Sequence, residues 1–211
     1  MPAGFTQQER QRITEQLLAA GERLFTTQGL RKTALEELTS AAGIAKSSFY
    51  AFFDSKEALY LELMLRQAPE LQARLLRALG EAASTADALR GFLRGAIDVL
   101  HTNPFYRRLV THPDELAAVS RRLPPERLAE VNQPITTPIT EFLTAAQQRG
   151  ELPGTDPAVL LGVLRAVLLL PLHADQFDPA DYPAVVDLLI DTVAIGLTSA
   201  ENLTNEGEPG L

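Results

Sequence analysis

The sequence contains no cysteine and no tryptophan, and only three histidines, His101, His112 and His173, among 211 residues. Without cysteine there is no disulfide scaffold, no thiol nucleophile and no zinc site with sulfur ligands. Three scattered histidines make a histidine-rich metal site an improbable design. Long apolar runs are also scarce. The most apolar stretch, Ala166–Leu172, contains Pro171 and lies between Arg165 and His173, far short of the roughly 20 residues that cross a bilayer. Met1 to Arg12 is largely polar, unlike a signal peptide, so a soluble cytoplasmic chain is expected. No nucleophile–base spacing, phosphate-binding glycine loop or dinucleotide fingerprint occurs. No enzyme activity, catalytic residue, metal ligand or cofactor is therefore assigned.

What is present is charge of one sign in one place. The formal net charge is -8, from 19 basic and 27 acidic side chains. Residues 1–56 carry 7 basic and 6 acidic groups, whereas the remainder carries 12 and 21. That asymmetry fits a small binding head on an acidic body.

Leucine and alanine dominate, and no stretch alternates with period two, so the expected fold class is all-α with about nine helices. Thr6 with Glu9 forms a capping box for a helix that stops at Gly29. Thr33 with Glu36 reads as a second box, opening a short helix that ends at Gly43. A third short helix is expected over about Lys46 to Phe52, and Asp54 or Ser55 caps a longer one. Pro69 is expected to bend that helix or divide it, and Pro134 and Pro138 to kink or split a later one. Ser84 and Asp87 open another helix. Asp156-Pro157 opens a very apolar helix ending near Leu172, and Tyr182-Pro183 opens the last. The expected domains are a head over 1–56, a helical body over 57–200 and a disordered tail over 201–211.

The most informative stretch is TALEELTSAAGIAKSSFYAFF, residues 33–53. Two short helices flank a tight turn at Ala42-Gly43-Ile44, the helix-turn-helix arrangement. Ile44, Leu38 and Phe49 are expected to fill the angle between the helices, with Phe53 also in the core. Lys46, Ser47 and Ser48 place small or polar side chains where the second helix would meet DNA.

Residues 6–65 closely resemble the N-terminal DNA-binding domain of the TetR family of bacterial transcriptional regulators. The resemblance rests on a leading helix ending at Gly29, then Thr33, and then GIAKSSFYAFFDSKEALY from Gly43 to Tyr60. Ala45 departs from the family's usual serine, and Ala51 from a larger polar residue. The resemblance implies that Thr33 and Tyr50 bind phosphates, that Lys46 and Ser48 sit in or beside the major groove, and that Ser47 allows close approach. Lys56 would clamp the backbone, and Arg31 and Lys32 could add phosphate or minor-groove contacts.

The resemblance also implies a homodimer on a palindromic DNA operator, acting as a repressor released by a small-molecule effector. The alternative is a helical protein-interaction regulator that does not bind DNA. The last two long helices are apolar around much of their circumference, so one stripe needs cover from a partner. Leu160, Leu161, Leu164, Leu168, Val186, Leu189 and Ile190 are the expected dimerisation residues. Candidate effector contacts are His101, Asn103, Phe105, Tyr106, Thr136, Thr137, Phe142 and His173.

Overall fold

Thr6 opens the first helix as its spacing predicts. Its Oγ1 accepts the Glu9 N–H at 3.2 Å, and Glu9 Oε2 accepts the Thr6 N–H at 2.8 Å, which satisfies two otherwise orphaned donors. The computed structural model describes residues 5–122 and 124–199. Among these are nine α-helices and two 3-10 helices, with no strand. The α-helices are α1 (Gln7–Gln28), α2 (Leu35–Ala41), α3 (Lys56–Gly80), α4 (Thr85–Thr102), α5 (Pro104–Thr111), α6 (Pro113–Arg122), α7 (Pro125–Gln148), α8 (Pro157–Val167) and α9 (Tyr182–Thr198). The 3-10 helices are Lys46–Ala51 and Leu170–Gln176. The tail over 201–211 lies outside the described residues.

The chain packs as two compact units. Met1–Pro69 with Pro104–Asn132 forms the first, and Glu70–Asn103 with Gln133–Leu211 forms the second. In the first unit, Ile13, Leu17, Leu24 and Phe25 line one side of α1 and bury against Leu38, Phe49, Leu59 and Tyr60. An aromatic relay runs through that core, with ring centroids 5.2 Å apart for Phe25–Tyr60 and 4.9 Å for Tyr60–Phe105. Each fully buried large side chain contributes about 1.5–3 kcal/mol of transfer free energy, so this packing is what fixes α1 against α3 and α5.

The second unit is built on α4 and α9. Leu89, Phe92, Leu93, Ala96 and Ile97 of α4 bury against Ile190 and Ala194 of α9, with Leu160, Leu164 and Val167 of α8 and Ile139, Leu143 and Ala146 of α7. At the margin, Arg90 Nε donates to Asp191 at 2.8 Å and Arg94 Nη2 to Asp187 at 3.1 Å. These pairs set the register of α9 on α4 more than they add stability, since exposed pairs contribute little.

Several expectations are corrected. The cap of α2 is Ala34, not Thr33: Glu37 Oε2 accepts the Ala34 N–H at 2.8 Å, and the buried Thr33 hydroxyl donates to the Gly29 carbonyl at 2.7 Å. Pro69 lies inside an unbroken α3, and α7 runs through Pro134 and Pro138 without division. Each proline removes a single ladder bond, and Ala68 beside Pro69 and Ile139 beside Pro138 are buried. The apolar helix opened by Asp156 ends at Val167 rather than near Leu172, and a 3-10 run with a non-helical His173 follows.

Three of the expected dimerisation residues are taken up by their own unit: Leu160, Leu164 and Ile190 are core. Leu161, Leu168, Val186 and Leu189 are half-buried against that same core. The apolar residues left uncovered are Val159 and Val163 on α8, Leu169 just beyond it, and Leu188 and Ile195 on α9, with Leu188 70% exposed. By length and composition alone, an 18-residue window within Pro157–Gln176, with a mean hydropathy of 1.8 and 17% of it buried, passes for a membrane span, although α8 ends at Val167 and His173 is non-helical. The shorter run Ala166–Leu172 did not indicate this.

Candidate nucleic-acid interface

The turn after α2 is made by Gly43, whose φ of +66° is the left-handed region where a side chain costs about 1–2 kcal/mol. The Ile44 N–H then donates to the Thr39 carbonyl at 3.0 Å, closing α2 and aiming the chain into the 3-10 helix Lys46–Ala51. In a 3-10 helix residues three apart eclipse each other. Here Phe49 is buried and Phe52, just past the end of the element, is half-buried, while Lys46, Ser47 and Tyr50 are exposed. Ser48 is half-buried. The far end of the element is pinned from α1, where Arg10 Nη2 donates to the Ala51 carbonyl at 2.7 Å and its guanidinium lies 5.2 Å from the centre of the Phe52 ring.

Four of the predicted contact residues surround one open cleft of about 310 Å³: Thr33, Lys46, Tyr50 and Lys56. Their chemistry differs. Tyr50 is 58% exposed and stands edge-on to Phe49, with centroids 5.7 Å apart, so its hydroxyl is carried outward on a rigid base. Lys46 donates to Glu36 Oε1 at 2.6 Å. This hydrogen bond, followed by a hydrogen bond from its own backbone, holds the Glu36 carboxyl below its ordinary range, and the same contact, followed by the Glu36 charge, pushes the Lys46 ammonium up. Lys56 Nζ donates to the carbonyls of Arg31 at 3.2 Å and Thr33 at 3.0 Å. Lys56 thus clamps the segment between α1 and α2, and Ser55 caps α3 beside it by accepting the Ala58 N–H at 3.0 Å.

Arg31 and Lys32 are exposed on that same segment and line a second cleft of about 570 Å³. Its base is a pair that local sequence does not reveal. Arg108 Nε and Nη2 donate to Glu115 Oε2 at 3.0 Å and Oε1 at 2.7 Å, and Glu115 Oε1 also accepts the Leu30 N–H at 3.2 Å. Glu115 is 3% exposed, and a buried carboxylate persists only when it is paired and hydrogen-bonded. Gly29, with φ +87°, leaves the room: a Cβ there would sit 2.0 Å from Arg108 Nη2. The segment Gly29–Ala34, which carries Arg31, Lys32 and Thr33, is therefore held from two sides.

The eight candidate effector residues are divided between the two units. Phe105 and Tyr106 are buried in the first, where Phe105 packs against Tyr60 in the core. His101, Asn103, Thr136, Thr137, Phe142 and His173 belong to the second. His101, Thr137 and His173 are exposed, and Phe142 is half-buried against the core.

The family model for bacterial regulatory proteins of the tetR family matches residues 17–63, the stretch that contains both clamped segments and the recognition element. The transcriptional regulator RutR of Escherichia coli K12 is 31% identical over 93 residues, 44% of this chain and 43% of that one. The transcriptional activator FasR of Mycolicibacterium smegmatis is 29% identical over 110 residues, 49% of this chain and 50% of that one. The matched stretch thus spans about half the length of these relatives. Beyond the head the likeness is one of fold: the transcriptional regulator FadR of Bacillus subtilis, solved with stearoyl-CoA, superposes with a TM-score of 0.64 at 18% identity, covering 87% of this chain and 98% of that one. The head, residues 17–63, is thus similar to bacterial regulatory proteins of the tetR family, and the chain shares its fold with solved transcriptional regulators.

Proposed function

We propose that this protein is a sequence-specific DNA-binding transcriptional regulator that works as a cytoplasmic homodimer on a palindromic operator. The observation that carries this is the cleft at the recognition element, where Thr33, Lys46, Tyr50 and Lys56 meet. Ser47 and Tyr50 stand outward from a 3-10 helix that is pinned at its far end, so few base contacts are offered and phosphate contacts set the register. One such head binds weakly. Two heads about 34 Å apart reading one palindrome supply the specificity.

Support for a dimer comes from the uncovered apolar residues of α8 and α9. Val159, Val163, Leu188 and Ile195 form stripes at helical spacing, and a second copy related by a two-fold axis covers both at once. Support for an effector is by analogy of fold with a neighbour solved with stearoyl-CoA. We read the effect on transcription as repression relieved by a small molecule that binds a form with wrongly spaced heads. The relative FasR is an activator, so activation is the second outcome a reporter assay distinguishes.

The test is selection of genomic fragments by the purified protein at fixed salt, followed by footprinting. A single palindromic site protected by a dimer is expected. Binding without a preferred sequence, erased by modest salt, would overturn the reading.

A further inference from the structure

The cleft that gathers the predicted DNA contacts has a member from outside the helix-turn-helix head. Arg122, at the last turn of α6, lines it together with Lys46, Tyr50 and Lys56, yet lies 59 or more positions beyond the matched residues 17–63. We propose that Arg122 is a DNA-phosphate contact supplied by α6, positioned by the buried carboxylate of Glu57; this rests on the DNA-binding reading of the head.

Glu57 explains why an arginine is there. It is 6% exposed at the start of α3, and its Oε2 has no hydrogen-bond partner. A carboxylate removed from water without a partner is strongly unfavourable, and an opposite charge is the usual remedy. The cation that faces it is Arg122, with Nη1 3.6 Å from that oxygen. The distance is beyond a hydrogen bond, so the pair is an electrostatic anchor rather than a closed fork. Arg122 is 67% exposed and makes no hydrogen bond among the described residues. A guanidinium carries five N–H donors in a planar fork suited to phosphate.

The other charges of the cleft assign it this task. Lys46 is engaged by Glu36 at 2.6 Å, and Lys56 by two carbonyls. Asp54 adds a further negative charge to the rim. Arg122 is therefore the cation of this cleft with the most donors uncommitted, and it offsets the acidic groups that would otherwise repel a phosphate. Tyr50, whose exposed hydroxyl borders the same space, supplies a neutral donor beside it.

The two roles open to Arg122, brace for Glu57 or contact for phosphate, separate in the salt dependence of binding. The probe is a fluorescein-labelled mixed-sequence duplex of about 30 base pairs, long enough for both heads, titrated with full-length protein over a salt series. Removing one phosphate contact lowers the slope of log affinity against log salt by about 0.9 for each bound head. Arg122→Ala is expected to lose that slope and to weaken binding by a similar factor on every sequence, together with a lower melting temperature because Glu57 loses its counter-charge. Arg122→Lys, which keeps the charge, is expected to retain the slope. An Arg122→Ala slope equal to that of the unaltered protein, with or without a lower melting temperature, would leave a brace alone and overturn the proposal. So would a slope lost equally in Arg122→Lys. If the unaltered protein binds no duplex at low salt, the DNA-binding reading itself fails, a result distinct from both.

Discussion

Lys46 Nζ and Glu36 Oε1 are 2.6 Å apart, joining the first residue of the recognition element to α2. The basic side chain that the proposed function sets in or beside the major groove is thus held by an acidic neighbour. Both partners are largely exposed, so the contact adds little to folding, but it must be broken or shared before Lys46 can meet a base or a phosphate. Glu36→Gln is expected to raise affinity for duplex DNA several-fold and to steepen its salt dependence, with almost no change in melting temperature. Equal binding by the two proteins would show that Lys46 keeps its partner on DNA.

Tyr50→Phe removes one exposed hydroxyl and leaves the ring against Phe49. Binding should weaken to a similar degree on all sequences, because phosphate contacts carry no direct sequence information. Thermal unfolding should be unchanged. A loss confined to one sequence would instead make Tyr50 a base-reading residue.

The buried pair of Arg108 and Glu115 supports the segment that carries Arg31 and Lys32. Glu115→Ala leaves a guanidinium that is 16% exposed, and the Leu30 N–H, without their acceptor. A loss of about 3–5 kcal/mol is expected, read as a fall in the denaturant midpoint. Gly29→Ala should be of comparable severity, since it combines a left-handed φ with a collision against Arg108. Unchanged stability in both variants would contradict this account of the segment.

In the second unit, Arg149 first and Thr85 next hold the Glu151 carboxyl down at about 2, from an ordinary 4.5. The folded value is depressed, so the stabilisation is complete above about 4.5 and fades as pH falls toward about 2. The melting-temperature gap between the unaltered protein and Glu151→Gln should close through that window. A gap independent of pH would mean that the contacts do not depend on the charge.

Leu188 is 70% exposed and Ile190, two positions on, is 1% exposed. Leu188→Glu is expected to yield a folded monomer by analytical ultracentrifugation, whereas Ile190→Ala should destabilise by about 2–5 kcal/mol through a cavity. A dimer surviving Leu188→Glu would move the interface elsewhere.

These contrasts also mark what the sequence makes legible. The Thr6–Glu9 box, the Asp156-Pro157 start and the turn at Gly43 depend on residues a few positions apart, so local spacing reveals them. The α2 cap misleads because Glu36 and Glu37 are adjacent: two registers fit the same pattern, and only the burial of Thr33 decides between them. On α8 and α9 the apolar side chains surround the helix, so periodicity cannot tell Leu160, which is core, from Val159, which is not. The pairs Arg108–Glu115–Leu30 and Glu57–Arg122 join elements far apart in the chain and leave no local pattern to read.

The central claim is that the recognition element reads a specific DNA site. The most direct test is the affinity of the unaltered protein and of the Lys46→Ala, Tyr50→Phe double variant for a selected genomic fragment and for its shuffled sequence, at one stated salt concentration. The account predicts that the unaltered protein prefers the selected fragment by about 10³-fold or more, and that the double variant loses most of its affinity while melting at the same temperature. Equal affinity for fragment and shuffled sequence, untouched by the double substitution, would contradict it.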